Sequence, residues 1–410
     1  MKKHSKNFKY LFLSQTLANT GDIIYIVGLI TYIYMNTGKA TASAALPVII
    51  TMAMFLSGFL SPYIYQFISK KQILLIFQFL KIVIMTCILM YIFFDNHSLV
   101  VLYALVFLNS LFDGFTNPIK GSMLPLIEGP DTITSANAKM GTVNNIIQVG
   151  AWALGGILVA VLGNLNLMIL TLTLYVFSVL FILKLENIVA NTHEKHTPTH
   201  AFKHMLKANK DSKWSLFING TTILESLAHS VWIAAILLVY IKDFLHVDTF
   251  WFGLINATFF LGLIISGLCV NFADDFFQKR FKLFVVYMPI LIALINFSFV
   301  MHHFIYLALF FSFAFGFFDE INDIVIGSRF QIDADDEELT NTYILNGMIY
   351  SFSFAISTLI ISYLVDHFGI SWAFIIAGIS YLFVFVLSYY FIKKYHLDTH
   401  GTSQKSQVGQ

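Results

Sequence analysis

The feature that most constrains this chain is the length of its apolar runs. A helix that crosses a bilayer needs about 20 mostly apolar residues, and the sequence contains twelve such runs. They lie near 9–34, 44–68, 73–94, 98–119, 138–162, 166–184, 214–240, 250–272, 283–301, 303–327, 341–365 and 370–392. Only 11% of the chain is charged, against about 25% in an ordinary soluble domain. We therefore predict an all-α, polytopic membrane protein with twelve transmembrane helices.

The longest connection divides the chain into two halves. It covers residues 185–213, between the sixth and seventh runs, so we expect six-helix bundles at 1–184 and 214–410, the second with a short cytoplasmic tail. The connection is rich in His and Lys: His193, Lys195, His196, His200, Lys203, His204, Lys207, Lys210 and Lys213. The irregular spacing of its histidines, with no cysteine among them, favours a solvated linker over a metal site.

The distribution of basic residues predicts the orientation in the membrane. With twelve spans, both chain ends lie on one side, and that side receives 21 of the 24 Lys and Arg residues. The opposite side has only Lys39 and Lys242, while Lys81 lies inside the third run. Because cytoplasmic loops carry the excess of positive charge, we expect both ends and the linker to be cytoplasmic.

The two halves share a sequence repeat. The stretch FDGFTNPIKGS begins at Phe112, and FDEINDIVIGS begins at Phe318. A constant offset of 206 residues pairs Asp113 with Asp319. Parallel six-helix repeats are typical of transporters that alternate access to a central site, so the repeat favours a transporter over a channel.

Polar side chains at helical spacing mark the first run, with Gln15, Asn19 and Asp22, and the seventh, with Thr222, Glu225 and His229. A charge at mid-bilayer costs about 2.5–3.5 kcal/mol, and a carboxylic acid in a cavity of low dielectric can exchange a proton near neutral pH. Candidates for proton coupling are Asp22, Glu225, His229 and Asp319. The alternative interpretation is that these side chains form satisfied hydrogen bonds between helices.

Lys81 is the only cation deep in a predicted span. It could neutralise Asp22 or Asp113, or it could meet an anionic substrate; we expect internal pairing, because buried Lys normally has an acidic partner. Residues that could line the cavity, or instead join helices, are Gln15, Asn19, Lys81, Asn144, Asn145, Gln148, Asn346 and Tyr350.

Charged residues near the predicted cytoplasmic ends of the helices are candidates for a gate. They are Asp113, Lys120, Asp274, Asp275, Arg280, Asp323 and Arg329. We expect Asp323 to pair with Arg329 or with Lys282. Asp113 stands beside Lys120 at the depth of its repeat partner, so Asp113 and Asp319 could be clamps common to both halves.

Two stretches carry a resemblance to a known family: SQTLANTGDIIYIVGLITYIYMNTGKATASAALPVI and NPIKGSMLPLIEGPDTITSANAKMGTVNNIIQVGAWALGGIL. The two-halved plan resembles the major facilitator superfamily, and these stretches resemble its macrolide-efflux and enterobactin-exporter branch of drug:proton antiporters. The resemblance extends over essentially the whole chain. It implies that the first helix of each half lines the central cavity, which would place Asp22 and Glu225 toward the substrate.

The sequence departs from this family in two places. The family's loop between helices two and three carries an Asp and a basic cluster that latch the cytoplasmic gate; here SPYIYQFISKKQ keeps Lys70 and Lys71 but lacks the Asp. The second half keeps Gly267, Asp274, Asp275, Lys279 and Arg280. We therefore expect a weaker or differently built latch. The fifth helix reads WALGGIL, without the proline of the antiporter motif, so the export direction is inferred from the branch resemblance.

These features together predict a monomeric exporter in the plasma membrane of a bacterium. It would move a small amphiphilic organic molecule outward, driven by proton entry, without metal, cofactor or nucleic acid. Acids at 22, 225 and 319 suit a cationic, macrolide-like antibiotic, as in multidrug resistance, whereas Lys81, His229 and the amides suit an anionic siderophore or other metallophore. A membrane sensor or scaffold with a transporter-like fold is the alternative. An enzyme is disfavoured, because no nucleophile–base pair or phosphate loop is evident.

Overall fold

The computed structural model describes residues 4–37, 40–94, 98–186, 197–232, 234–248 and 250–395. Within these ranges the regular structure is helical, which confirms the all-α prediction. The α-helices are α1 (Lys6–Thr37), α2 (Ala40–Ile64), α3 (Lys70–Phe93), α4 (Leu99–Ile127), α5 (Pro130–Leu183), α6 (Pro198–Asp211), α7 (Lys213–His229), α8 (Ala234–Val239), α9 (Phe250–Phe272), α10 (Asp274–Lys279), α11 (Phe281–Ser298), α12 (Ile305–Asp333), α13 (Asp336–Phe368) and α14 (Ser371–Tyr395).

The twelve predicted spans correspond to these helices. Among the described residues, nine helices are long and apolar enough to cross a membrane by length and composition. The other three predicted runs are also helical where they are described: 138–162 in α5, 214–240 in α7 and α8, and 303–327 in α12. The long α5 holds two predicted runs and is divided at Gly163, whose φ of 74° is a conformation that side chains with a Cβ rarely adopt.

The helices pack as two bundles, α1–α5 and α7–α14. Among the described residues, the apolar clusters that contain side chains from both bundles lie at one end of the molecule. At the other end each apolar cluster belongs to a single half: one surrounds Leu29 and Met85, and another surrounds Tyr240 and Phe299. Clusters with members from both halves lie toward the predicted cytoplasmic side, for example where Ile332 of α12 packs against the cluster formed by Phe8, Leu124, Ile133 and Ala136. The two halves are therefore joined at the predicted cytoplasmic ends of their helices.

The linker contains more structure than the expected solvated segment. Residues 187–196, which include His193 and His196, lie outside the described residues, and the helix α6 follows them. Ala201, Met205 and Asn209, spaced by four, are buried on one face of α6. The spacing of four is present in the sequence, but the basic residues between these positions make the segment look uniformly polar.

Candidate functional site

A buried ion cluster lies at the centre of the N-terminal half. The Lys81 ammonium, on α3, is fully buried and donates to both carboxylate oxygens of Asp22, on α1, at 2.7 and 2.9 Å. It also donates to Asp113 Oδ1, on α4, at 3.2 Å. The Tyr175 hydroxyl donates to Asp22, and Lys81 Nζ lies 4.8 Å from the centroid of the Tyr175 ring. This arrangement confirms the internal pairing of Lys81 and uses its charge within the protein.

A second cation completes the charge balance of this cluster. Lys120 Nζ lies 3.5 Å from Asp113 Oδ1 and donates to Asn117 Oδ1 at 3.0 Å. Two carboxylates therefore face two ammonium groups, and the cluster is neutral when all four groups are charged. Neutral pairing is what makes charges tolerable in a region without water.

The C-terminal half carries a related cluster at the repeated positions. The offset of 206 residues relates Asp113 to Asp319 and Tyr175 to Tyr381. The Tyr381 hydroxyl donates to Asp319 Oδ1 at 2.5 Å, and His229 Nε2 lies 3.2 Å from Asp319 Oδ2. The same acid and phenol are thus present in both halves, but the cationic partner is a histidine in place of a lysine.

The C-terminal half also has acids beyond this cluster. Glu225 is one turn before His229 on α7, and Asp323 is one turn after Asp319 on α12; the charges of these four side chains interact electrostatically. Neither Glu225 nor Asp323 has a hydrogen-bond or salt-bridge partner among the described residues, and Asp323 is solvent-exposed in the protein alone. Acids therefore outnumber cations in this half.

Glu320 adds a further acid at the boundary between the halves. A Cβ placed on Gly141 of α5 would lie 2.7 Å from Glu320 Oε1, so the carboxylate approaches the backbone of the opposite half closely. The charge of Glu320 interacts with that of Asp319, whereas the acids that act on His229 are Glu225, Asp319 and Asp323.

The helix that carries His229 ends at that residue. A 3₁₀ turn at Ser230–Trp232 follows, and after α8 the chain forms a π-helical turn at Tyr240–Phe244. No Gly or Pro lies between 224 and 244. Instead Ser226 and Ser230 donate to the backbone oxygens of Thr222 and Leu227, contacts that bend helices.

The amide candidates mostly join helices. Asn19 Nδ2 of α1 donates to Asn144 Oδ1 of α5 at 3.1 Å, and Asn346 Nδ2 of α13 donates to Thr222 Oγ1 of α7 at 2.7 Å. Tyr350 differs, because 44% of its surface is exposed and its ring stacks on Phe354 at 5.6 Å. The remaining candidates are Gln148, which is half-buried, and Gln15 and Asn145, which are buried with one amide atom unpaired among the described residues.

The contacts that close the predicted cytoplasmic end involve Lys70 of the latch loop and several residues that the sequence did not single out. Lys70, at the start of α3, forms an ion pair with Asp336, at the start of α13, and also donates to Ser122 Oγ at 2.8 Å. Asn137 Nδ2 of α5 donates to Gln331 Oε1 of α12 at 2.7 Å. The family's latch Asp is missing from the first half. In its place, a Lys of the first half pairs with an acid of the second half, so the latch is built differently, as expected.

Further polar contacts cross the same seam. Gln331 Nε2 donates to the Gly121 oxygen at 3.3 Å, Ser135 Oγ donates to Asn271 Oδ1 at 2.6 Å, and Gln278 Nε2 donates to Thr134 Oγ1 at 2.9 Å. The segment 134–137 holds three of the donors and acceptors involved, and only its position in the fold shows that it faces the other half.

Among the described residues, the expected pairing of Asp323 with Arg329 or with Lys282 is wrong, because Asp323 has neither partner. Arg329 binds Asp333, with Nη2 3.0 Å from Oδ1. Residues four apart share a helix face, whereas a spacing of six puts Asp323 about 120° away. Among the other gate candidates, Asp274 Oδ1 accepts from the Asp275 amide at 2.9 Å, and Arg280 lies over the Phe276 ring at 4.2 Å.

We predict that Lys81→Met destabilises the protein. The change leaves Asp22 and Asp113 buried without their shared cation, which for a broken buried pair costs about 3–5 kcal/mol. Thermal unfolding in detergent measures the effect, with Lys9→Met, at an exposed position, as the control. Lys81→Arg should recover part of the loss. An unfolding temperature equal to that of the wild type in Lys81→Met would contradict the pairing role.

Comparison with known proteins agrees with this architecture. Residues 3–317 match the model of a family described as transmembrane secretion effector. The MFS-type transporter YfmI of Bacillus subtilis (strain 168) is 24% identical over 383 residues, covering 92% of this chain and 94% of that protein. A second MFS-type transporter of that strain, YjbB, is 23% identical, covering 94% and 95%.

Solved structures share the fold at low sequence identity. A bacterial homologue of the iron transporter ferroportin in an outward-facing state has a TM-score of 0.78 at 15% identity, covering 95% of this chain and 100% of that one. The E. coli fucose:proton symporter FucP has a TM-score of 0.74 at 12% identity, covering 94% and 98%. With the match to the family model over most of its length, the chain belongs to the transmembrane secretion effector family of major facilitator superfamily transporters.

Proposed function

We propose that this transporter is a proton-driven exporter, which moves a small amphiphilic organic molecule out of the cell by alternating access. The observation that carries the proposal is the unequal charge of two clusters built on repeated positions. In the first half Lys81 and Lys120 neutralise Asp22 and Asp113. In the second half His229 faces three acids, Glu225, Asp319 and Asp323, and the charge of Glu320 interacts with that of Asp319.

This surplus of acid calls for a cation from outside the protein. A carboxylate that loses its water inside a bilayer must take up a proton or meet a positive charge. The N-terminal cluster has no such need, because its cations are permanent. The C-terminal cluster can therefore bind protons or a cationic substrate in exchange for one another, which is the requirement for coupling the two.

His229, Asp319 and Tyr381 form the proposed proton-exchange site. A lysine ammonium keeps its proton at neutral pH, whereas imidazole gains and loses one between about pH 5 and 8. The discontinuity of the helix after His229 supports this role, since irregular helical turns are frequent at functional sites. Glu225 and Asp323 lie beside this site and would share the proton or face the substrate.

The substrate that this cavity suits best is a cationic amphiphile. Of the features that suit an anionic metallophore, the permanent charge of Lys81 is already matched by Asp22 and Asp113. The accessible groups near the acids include the Tyr350–Phe354 ring pair, and aromatic faces attract organic cations. A sensor or scaffold would bind such a molecule without moving it.

The proposed orientation determines the side of the membrane to which the cavity opens, while the export direction rests on the branch resemblance. We place both chain ends in the cytoplasm of a bacterium, with the protein acting as a monomer in the plasma membrane. The joined ends of the halves then face the cytoplasm, and the cavity opens outward. The similarity to the outward-facing ferroportin homologue supports this state.

Glu225→Gln tests the coupling. The variant removes one acid beside His229 without changing side-chain size, so we expect it to fold and bind substrate but to lose transport driven by a pH gradient by at least tenfold. The assay is uptake of tetraphenylphosphonium into proteoliposomes with and without a pH gradient. Exposed Glu186→Gln is the control. Gradient-driven uptake at the wild-type rate in Glu225→Gln would remove this residue from the mechanism, and binding without uptake by the wild type would favour a sensor.

The repeated acids give a matched pair of variants. Asp113→Asn leaves Lys81 and Lys120 with one carboxylate, and we expect a loss of about 3–5 kcal/mol in unfolding free energy. Asp319→Asn leaves His229, which can become neutral, so its stability should stay near that of the wild type while coupled transport is lost. Thermal unfolding and proteoliposome transport separate the two effects. Equal destabilisation of both variants would mean that both acids are structural.

The ion pair of Lys70 and Asp336 is expected to favour the closed cytoplasmic end. Asp336→Asn removes the charge that crosses the seam, so the halves should separate more often at this end. Spin labels at Phe67 and Lys279, which lie in opposite halves, would then show a larger population at long distance. Glu337→Gln is the neighbouring control. An unchanged distance distribution in Asp336→Asn would exclude a gating role for the pair.

A further inference from the structure

The linker helix α6 lies across the seam between the two halves. Met205 is 1% exposed and shares an apolar cluster with Ile344 and Met348 of α13, against which Phe55 of α2 also packs. The ring of Phe202 lies 4.9 Å from the ring of Phe59 of α2. One face of α6 is thus covered by helices from both halves.

The helix is attached to the C-terminal half by polar contacts. Asn209 Nδ2 donates to the Asn341 oxygen of α13 at 3.0 Å. Ser212 ends α6 and caps α7, because its hydroxyl accepts from the Ser215 amide at 2.9 Å. The described contacts to α2 are apolar, so α6 belongs to the C-terminal half and rests against the N-terminal half.

The depth of these contacts places α6 at the membrane surface. The chain rises about 1.5 Å per residue in a helix, so Asn341 lies about 8 Å and Met348 about 18 Å from the start of α13. The first turn of α13 holds Asp336, Glu337 and Glu338, and it must stay in water. Since the headgroup region adds about 5–7 Å to each side of the hydrocarbon, the contact of α6 with Asn341 lies near the level of the phospholipid headgroups, and its apolar cluster with Met348 extends below that level.

The outer face of α6 is basic. Lys203, Lys207 and Lys210, at spacings of four and three, are all exposed, and the exposed Leu206 lies between them. Lysine stems lie along apolar surface while their ammonium groups reach the polar layer. A basic stripe around an apolar side chain matches the boundary between acyl chains and anionic headgroups.

We propose that α6 binds the headgroups of anionic phospholipids through Lys203, Lys207 and Lys210. The bilayer in which the transporter lies supplies this partner at the depth of the helix, and its negative surface attracts juxtamembrane lysines. Lipid bound here would hold α6 flat against the seam formed by α2 and α13. The inference needs only that the chain spans a membrane, and it does not depend on proton coupling or on the substrate.

The test uses the full-length protein in bilayers of phosphatidylcholine with a minor fraction of phosphatidylglycerol. Spin-labelled forms of the two lipids report which one is enriched at the protein. We expect the wild type to select phosphatidylglycerol at low salt, and Lys203→Gln/Lys207→Gln/Lys210→Gln to lose about fivefold in relative association for each lysine removed. The triple Arg variant at the same positions should keep the selectivity, which also checks that the helix has folded.

A second triple variant separates a site on α6 from general attraction of charge. Lys279→Gln/Arg280→Gln/Lys282→Gln removes the same charge from the junction of α10 and α11 on the same predicted side and should keep most of the selectivity. The proposal is overturned if the α6 triple variant selects phosphatidylglycerol as the wild type does, or if the junction triple variant loses as much. Binding of polyglutamate and competition by inorganic phosphate are measured on the same proteins. If the α6 triple variant loses polyglutamate binding but keeps its lipid selectivity, the partner is an acidic protein. If inorganic phosphate displaces the lipid from the wild type, the site binds free anions, and either result overturns the proposal.

Discussion

The ammonium of Lys81, held between Asp22 and Asp113, is the interaction on which the N-terminal half depends. A lysine without water must have its charge matched at short range, and this lysine takes its partners from two further helices. With Tyr175 bonded to Asp22, the cluster joins α1, α3, α4 and α5 at one point. It fixes the rotation of each helix about its own axis, which apolar contacts with lipid on the outside do not specify.

The C-terminal half keeps the acid and the phenol of that cluster but exchanges the lysine for His229. The consequence is electrostatic: the first half is balanced by permanent charges, while the second half reaches balance only with protons or a bound cation. The break after His229 gives this half the local irregularity that the continuous α1 lacks. The two bundles thus share an acid and a phenol at repeated positions but differ in the cation that balances them.

The closed end of the molecule combines three kinds of contact. The ion pair of Lys70 with Asp336 and the amide contacts of Gln331 are polar and reversible, and the seat of α6 on α2 is apolar. None of these is large alone, since partly exposed polar contacts contribute about 1 kcal/mol each. Contacts of this size can be broken one at a time, so the closed end does not depend on a single strong interaction.

Several properties were determined by the sequence alone, because they depend on local composition. Apolar runs of membrane length predicted the helices, the offset of 206 predicted two related halves, and the cost of a buried ammonium predicted an acidic partner for Lys81. Only the tertiary structure decided which acids that lysine binds, that Arg329 binds Asp333 rather than Asp323, and that Lys70 meets Asp336 across the seam. These pairings depend on how far each helix is rotated and where it crosses its neighbours. Many packed side chains set that geometry together, and the spacing of residues along one helix carries no record of it.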